Sequence, residues 1–451
     1  MGEVLQEDKS LRFEKESGMV MAQTANKNQP YLDLDDKFVN QVLMRSARIV
    51  AHKAQGSYIY DLNGQAYLDF TTGIAVNNVG HCHPKVVEAV QKQVAQLMHT
   101  SVVTHHERYI ELCQKLTEIA PHPSLNSVFL TNSGAEAVEG AIKMARYITK
   151  RPAVINFKGS FHGRTLMATA LTTSKLYYRE GYEPLPTSIF TVPYAYQYRS
   201  NHRDNAQACV DEALSHFDTL FSQFVSPTQV ASIIVEPVQG EGGYIVPPPG
   251  FLAGLRKIAD QHGILLIVDE VQTGFGRTGS MFAIEQSKVA PDIMLMAKGI
   301  AGGMPLAAFI SRKELTDQWK PGRHGSTFGG NPVSCAAALA TINVLQEEKL
   351  PQRARELGGK IMDRLKKFAS GKQHIGEVRG AGLMIGVEFN DKDGKPSKEI
   401  AEKVAERCFE KNLLVLTCGN HGQVIRLIPP LNLSDEDAEK GLRILEEAMT
   451  L

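Results

Sequence analysis

A lysine and an acid, each closing an apolar run, carry the clearest chemistry in this sequence. Met294-Leu295-Met296-Ala297-Lys298-Gly299 ends a strand-length apolar segment in an amine. A lysine on a buried strand end is expensive unless it is paired or reactive. Schiff-base chemistry accounts for it, because desolvation lowers the lysine pKa and frees the nucleophilic amine. Ile264-Leu265-Leu266-Ile267-Val268-Asp269 ends a second apolar run in a carboxylate, followed by Glu270-Val271-Gln272-Thr273-Gly274. Solvation alone would also accommodate an acid there. A third segment, Leu130-Thr131-Asn132-Ser133-Gly134-Ala135-Glu136, turns from strand to helix within three residues. Ser133 and Glu136 have the spacing of a capping box. The amides of Gly134 and Ala135, with the helix dipole behind them, also suit a phosphate. The two readings are compatible.

Other patterns carry less. Gly274-Phe275-Gly276-Arg277-Thr278-Gly279 matches the dinucleotide fingerprint G-x-G-x-x-G. Three residues intervene after Glu270, however, and no apolar helix opens at Gly279, so a nicotinamide dehydrogenase is a weak reading. His81-Cys82-His83 on an extended chain would point to opposite faces, and a turn is expected there instead. His99, His105 and His106 lack an accompanying carboxylate pattern and are expected to flank helices. No metal site is expected. The six cysteines, at 82, 113, 209, 335, 408 and 418, form no Cys-x-x-Cys pair, which argues against zinc ribbons and disulfide scaffolds. Reduced, mostly buried thiols are expected.

These residues need a scaffold that brings strand ends together. The chain has 451 residues, 43% hydrophobic and 22% charged, enough for a large core and two or three domains. Lys+Arg and Asp+Glu both number 49, so no basic excess points to nucleic acid or an anionic membrane surface. The apolar runs are strand-sized, too short to span a bilayer. The first 30 residues are polar and charged and lack the apolar core of a secretion signal. They read as an N-terminal arm on a cytoplasmic enzyme.

Residues 57–70 read as a hairpin around Asn63-Gly64. Helical spacing runs through 85–98 and 109–119. From about 127 the chain alternates. Strand-like runs are 127–130, 153–157, 189–192, 231–235, 264–268 and 293–296, with helices at 135–148, 206–221 and 252–262, the last closed by Gly263. This implies an α/β fold with a mostly parallel sheet and ligands at the strands' carboxyl ends. After Leu345 a charged helix at about 346–369 precedes strands at 378–389 and 413–431 and helices at about 398–411 and 435–449, a smaller α+β domain. The expected organisation is an arm and part of the small domain in 1–85, a large domain in 86–345 and a C-terminal small domain in 346–451. Residues 175–230 form a long, Tyr-rich polar excursion.

Taken together, five ordered motifs resemble the class III aminotransferases. They are Ser133-Gly134-Ala135-Glu136-Ala137, Phe161-His162-Gly163-Arg164-Thr165, Glu236-Pro237-Val238-Gln239-Gly240-Glu241-Gly242-Gly243, Asp269-Glu270-Val271-Gln272-Thr273-Gly274 and Lys298. The resemblance runs from about residue 40 to the C-terminus. It implies the type I fold of pyridoxal 5′-phosphate enzymes, acting on terminal amines as a homodimer with shared active sites, further pairing to a tetramer left open. It assigns Lys298 the Schiff base and the proton transfer, and Asp269 the partnership with the pyridine nitrogen. Gln272 is expected near the phenolic oxygen, with Val271 and Phe161 on opposite ring faces and Gly134 and Ala135 at the phosphate. Ser133, His162 and Glu236 join the same cofactor shell. Thr327, in Gly325-Ser326-Thr327-Phe328-Gly329-Gly330-Asn331-Pro332, is expected to reach the partner subunit's phosphate, although the segment also reads as a helix lead-in capped by Asn331.

The resemblance also bears on substrate. Arg164 matches an arginine that binds a substrate carboxylate through a bidentate fork. Arg426 matches one that binds the α-carboxylate of glutamate, and Glu241 the acid that pairs with it when no α-carboxylate is present. Glu241 therefore favours 2-oxoglutarate as acceptor. Ile74 sits where ornithine-specific relatives carry tyrosine, which disfavours free ornithine. The expected donor is an ω-amino acid, with 4-aminobutyrate first. An acetylornithine-type aminotransferase and an amino-acid racemase of the same fold stay open. Racemases share long excursions like 175–230, but tend to lose the arginine and the glutamate found here at 164 and 241.

Overall fold

Short apolar strands separated by amphipathic helices bury both faces of a sheet, and this sequence does so around one large sheet. The structure is a computed structural model and describes residues 26–450. The expected N-terminal arm falls mostly outside the described residues. The sheet has seven strands in the spatial order Ser127–Thr131, Ala307–Ser311, Ile293–Met296, Leu265–Asp269, Val230–Val235, Ala153–Phe157, Ile189–Val192. Consecutive pairs from Ile293–Met296 to Ile189–Val192 are parallel.

Ala307–Ser311 is the exception. It runs antiparallel to both neighbours, so the sheet is mixed, and the sequence pattern did not mark this strand. It follows Ile293–Met296 too closely for a helical crossover, which needs a dozen or more residues. The chain turns back through Gly302 and Gly303, both at positive φ. Helix Gly134–Thr149 packs across this side of the sheet. A Cβ on its Gly140 would come within 2.6 Å of the Phe309 ring.

Two smaller sheets flank the large one. Ile375–Ala381, Met384–Phe389, Val424–Leu427 and Leu416–Cys418 form an antiparallel sheet. Ala51–Gln55, Tyr58–Asp61 and Ala66–Asp69 form another, to which Leu413–Leu414 adds in parallel. The Asn63-Gly64 turn is where the sequence puts it. Asp61 Oδ1 accepts from the Asn63 and Gln65 amides, both at 2.9 Å.

Several boundaries differ from the sequence reading. The run 378–389 is two strands, because the chain reverses at Gly382, at φ +55. The run 413–431 is three short strands. The helix expected at 346–369 is Leu350–Ala369, and a separate helix, Pro332–Glu347, precedes it. That helix is buried nearly all round, so it lacks the amphipathic period that would reveal it. Asn331 caps it, accepting from Val333 N at 2.9 Å. The 175–230 excursion carries the edge strand Ile189–Val192 and the helix Ala206–Gln223.

The G-x-G-x-x-G segment has a structural task. Arg277 is fully buried and donates to the carbonyls of Leu383 and Pro429 and to Asn78 Oδ1. It ties the large sheet's loops to the C-terminal part of the chain. Four of the six cysteines are buried and all six are free. Among the described residues no helix is long and apolar enough to cross a membrane, and no cluster could hold a metal ion.

Candidate active site

Parallel strands leave their carboxyl ends open, and loops from several of them meet there. A cavity of about 360 Å³ lies at the ends of Val230–Val235, Leu265–Asp269 and Ile293–Met296. Asp269 is only 4% exposed. Its carboxylate is held from both sides, by His162 Nδ1 at 2.7 Å and by the Val271 amide at 3.0 Å. Glu236 is equally fixed, accepting from the Phe161 amide at 2.9 Å and the Gly240 amide at 2.8 Å. Burial pushes the Glu236 carboxyl up to about 7, with Asp269 adding to the rise and His162 opposing it.

Lys298 follows the strand end and takes φ +49, a left-handed turn that points the chain back over the cavity. Its side chain lines the cavity. Burial lowers its pKa and the Arg426 guanidinium adds to that, while Glu241, Asp269 and Glu236 pull the other way. The net direction favours a neutral amine.

The strand-to-helix turn is built as the sequence implies, with one change. Ser133 caps the helix, its Oγ accepting from the Glu136 amide at 3.3 Å. Glu136 closes back on Asn132 rather than on Ser133, accepting from the Asn132 amide and side chain, both at 2.9 Å. Gly134 and Ala135 sit in the first turn, where amides have no carbonyl within the helix to bond. A Cβ on Gly134 would lie 3.0 Å from Val271. Glycine thus lets Val271 close against the turn.

One wall holds a charge pair. Glu241 accepts a hydrogen bond from Arg426 Nη1, and both residues are at least nine-tenths buried. Burial alone would raise the Glu241 carboxyl, but the Arg426 charge outweighs it and holds the carboxyl below its usual range.

The structure therefore brings Ser133, Gly134, Ala135, Phe161, His162, Glu236, Glu241, Asp269, Val271, Gln272 and Lys298 onto one cavity. Arg426 reaches it through Glu241. Ile74, Arg164 and Thr327 lie outside its wall and are exposed. Ile74 is on a tight turn at φ +70. Thr327 precedes Phe328, which is 60% exposed. Arg164 lies over the Tyr178 ring at 4.5 Å, and Tyr178 in turn meets Phe161 edge-on at 5.4 Å. Sequence reasoning missed this role for Tyr178. It also missed Val76, Val238, Met304 and Leu306 on the cavity wall, since apolar residues carry no chemical signature.

Residues 41–449 match the family model described as Aminotransferase class-III. The chain belongs to the class III aminotransferases. It is 39% identical over 417 residues to a probable 4-aminobutyrate aminotransferase of Bacillus subtilis, covering 92% of this chain and 96% of that one. It is 41% identical over 402 residues to a 5-aminovalerate aminotransferase of Pseudomonas aeruginosa, covering 88% and 93%. Among solved structures, the ornithine aminotransferase of Toxoplasma gondii, with PLP at partial occupancy at its active site, superposes with a TM-score of 0.82 at 32% identity, covering 94% of each chain. The fold is the type I fold of this family, and the cofactor is pyridoxal 5′-phosphate.

The residues present fit that group. First-turn amides at Gly134 and Ala135 suit a phosphate. The Asp269 carboxylate is oriented, and an amine with lowered pKa shares the cavity. Two buried polar atoms beside it, Gln272 Oε1 and His162 Nε2, have no protein partner.

Behind Asp269, Glu270 is fully buried, accepting from the Ile284 amide at 2.7 Å and from the Thr273 hydroxyl. Burial pushes its carboxyl up to about 7. The folded chain therefore keeps this proton after the unfolded chain has released it. The stability Glu270 contributes is complete below its ordinary value of 4.5 and is lost as pH rises through about 7. Urea unfolding at pH 5 and pH 8 should show wild type losing roughly 1–3 kcal/mol more than Glu270→Gln over this interval. Equal losses in the two proteins would place the titration elsewhere.

Proposed function

We propose that this aminotransferase moves the terminal amino group of an ω-amino acid, 4-aminobutyrate first, to 2-oxoglutarate, giving a semialdehyde and glutamate by a ping-pong mechanism. The observation that carries this reading is the buried Glu241–Arg426 pair on the cavity wall. A ping-pong enzyme of this kind admits glutamate, which has an α-carboxylate, and an amine donor that has none. The same pocket must offer a positive charge in one half-reaction and conceal it in the other. Glu241 paired with Arg426 conceals it; Glu241 swung away exposes it.

When bound, pyridoxal phosphate supplies an aldehyde for the Lys298 amine and a ring that draws electrons from the substrate carbon. Lys298 Nζ, its pKa lowered by burial, would take the proton from the substrate carbon that bears the amine and deliver it to the cofactor carbon on the far side of that nitrogen. Asp269, fixed by His162 and the Val271 amide, would hold positive charge at the ring nitrogen. Gln272 would serve the phenolic oxygen, Phe161 and Val271 would flank the ring, and Ser133, Gly134 and Ala135 would hold the phosphate. Arg164, over the Tyr178 ring, would receive the far carboxylate of the donor as a fork. The presence of both Arg164 and Glu241 favours transamination over racemisation.

We also propose a homodimer with shared active sites. The loop carrying Thr327 adjoins a run of exposed apolar residues. Met98, Val102, Val103 and Phe328 are 60–84% exposed. The His99 and Phe328 rings meet tilted, centroids 4.9 Å apart, and Asn331 donates to the Met98 carbonyl at 2.7 Å, which joins the two segments into one surface. A second copy covering it would bring Thr327 to the partner's phosphate.

Three measurements test this reading. Lys298→Ala should retain cofactor through the phosphate contacts and lose multiple turnover by several powers of ten, on the order seen for removing a key catalytic group; more than trace turnover would remove Lys298 from its role. Single-turnover rates with 4-aminobutyrate and glutamate address the charge pair. Glu241→Gln should slow the 4-aminobutyrate half-reaction more, and Arg426→Ala the glutamate half-reaction. An unpaired buried arginine costs roughly 1–3 kcal/mol, so a ratio change of about tenfold is expected. Equal losses would make the pair structural and remove the argument for 2-oxoglutarate. Sedimentation should give a dimer that Val102→Asp/Val103→Asp dissociates, whereas a wild-type monomer would refute shared sites.

A further inference from the structure

The Glu241 loop is gripped from outside the cavity. Arg379, on strand Ile375–Ala381, donates from Nε at 2.9 Å and from Nη2 at 2.6 Å to the same acceptor, the Gly243 carbonyl. Gly243 has φ +128, and a Cβ there would lie 3.0 Å from Arg379 Nη2. Only a glycine allows the backbone this close to the guanidinium in that conformation. Two further bonds hold the loop, from Gly419 N to the Glu241 carbonyl at 2.9 Å and from Gly240 N to the Glu236 carboxylate at 2.8 Å.

The register of the small sheet explains why one residue can do this. Arg379 lies opposite Gly386, and Gly386 opposite Arg426. The two arginines thus occupy one row across three strands, with a glycine between them. A Cβ on Gly386 would meet Tyr244 at 3.2 Å and the Gly243 carbonyl at 3.5 Å, so the loop lies directly over the gap. Arg379 grips the loop at Gly243, and Arg426 meets its Glu241 side chain.

Arg379 is itself held. Its side chain is 7% exposed and pairs with Glu377 and Glu388, both at 2.7 Å. Glu388, fully buried, also accepts from Arg199 Nε at 2.8 Å and Nη2 at 2.5 Å and from the Tyr196 hydroxyl at 2.5 Å. Tyr196 and Arg199 belong to the 175–230 excursion, whose role the sequence left open.

We propose that Arg379 is a positioning residue for substrate discrimination. It clamps the loop backbone so that opening and closing the Glu241–Arg426 pair is a rotation of the Glu241 side chain alone, and the excursion, through Tyr196, Arg199 and Glu388, keeps the clamp aligned. This rests on the reading of Glu241 and Arg426 given above.

The test measures, on holoenzyme, the ratio of the 4-aminobutyrate to the glutamate single-turnover rate in wild type, Glu241→Gln, Arg379→Lys, Tyr196→Phe and the Glu241→Gln/Arg379→Lys double variant. A lysine cannot keep two donors on the Gly243 carbonyl and also reach both glutamates. Arg379→Lys should lower the ratio in the same direction as Glu241→Gln, by roughly tenfold, the scale of one lost charge-assisted hydrogen bond. Tyr196→Phe should lower it by less. The double variant should show no further change, because both substitutions act on one switch. Arg379→Lys slowing both half-reactions equally, or adding fully to Glu241→Gln, would overturn the proposal while leaving the switch intact. A ratio unmoved by Glu241→Gln would defeat the switch itself and the proposal with it. If Arg379→Lys does not fold, Tyr196→Phe decides: an unchanged ratio overturns the clamp.

Discussion

A carboxylate or an amine removed from water must be met by an opposite charge or by directed donors, and the centre of this molecule is arranged around that demand. Asp269, Glu236 and Lys298 occupy neighbouring strand ends around one cavity, the two acids almost wholly buried. Each acid is held by a histidine nitrogen or by backbone amides. The lysine has no close anionic partner among the described residues, so its burial acts on its pKa instead of being neutralised. The sheet's parallel order makes this possible. It points several chain ends to one place without a side chain having to bridge them.

The same demand organises the outer layer. Two charge groups, Arg426 with Glu241 at the cavity wall and Arg379 with Glu377, Glu388 and Arg199 further out, are joined through the Gly243 carbonyl. Remove Arg426 and Glu241 is left buried and unpaired, which is more costly than never having buried it. Such a network fixes relative position more than it adds stability. That suits a site in which one side chain has to move while its backbone stays still.

What could be read from the sequence follows from which signals are local. Lys298 and Asp269 were visible because a charge after four or five apolar residues violates the pattern around it. Gly134 and Ala135 were visible because a strand, a cap and a helix fit into seven residues. The strand Ala307–Ser311 was hidden, since four buried apolar residues and a buried serine have no period of their own. Helix Pro332–Glu347 was hidden for the same reason. Residues 378–389 looked like one strand because a reversal at Gly382 needs only one glycine. Arg379 gave no warning at all. Its importance lies in a cross-strand register and a loop contact more than 130 residues away, and neither is written in its neighbourhood.

One sheet joins the two ends of the described chain. Strand Ala66–Asp69 takes its parallel neighbour from Leu413–Leu414, and the Thr72 hydroxyl donates to the Ile428 carbonyl, 356 residues further on. On a ribosome these early strands emerge long before their partners exist. An antiparallel hairpin alone is marginal in water, so residues 51–75 must wait, exposed, until nearly the whole polypeptide has been made. The large sheet needs no such delay, because its strands lie between residues 127 and 311. Assembly is thus ordered by synthesis: the cofactor cavity's floor is built first, and the turn that carries Ile74 settles only after the C-terminal segment arrives. A chain truncated near residue 410 would keep most of its catalytic side chains and still present an unfinished edge, the kind of surface that chaperones and aggregation compete for.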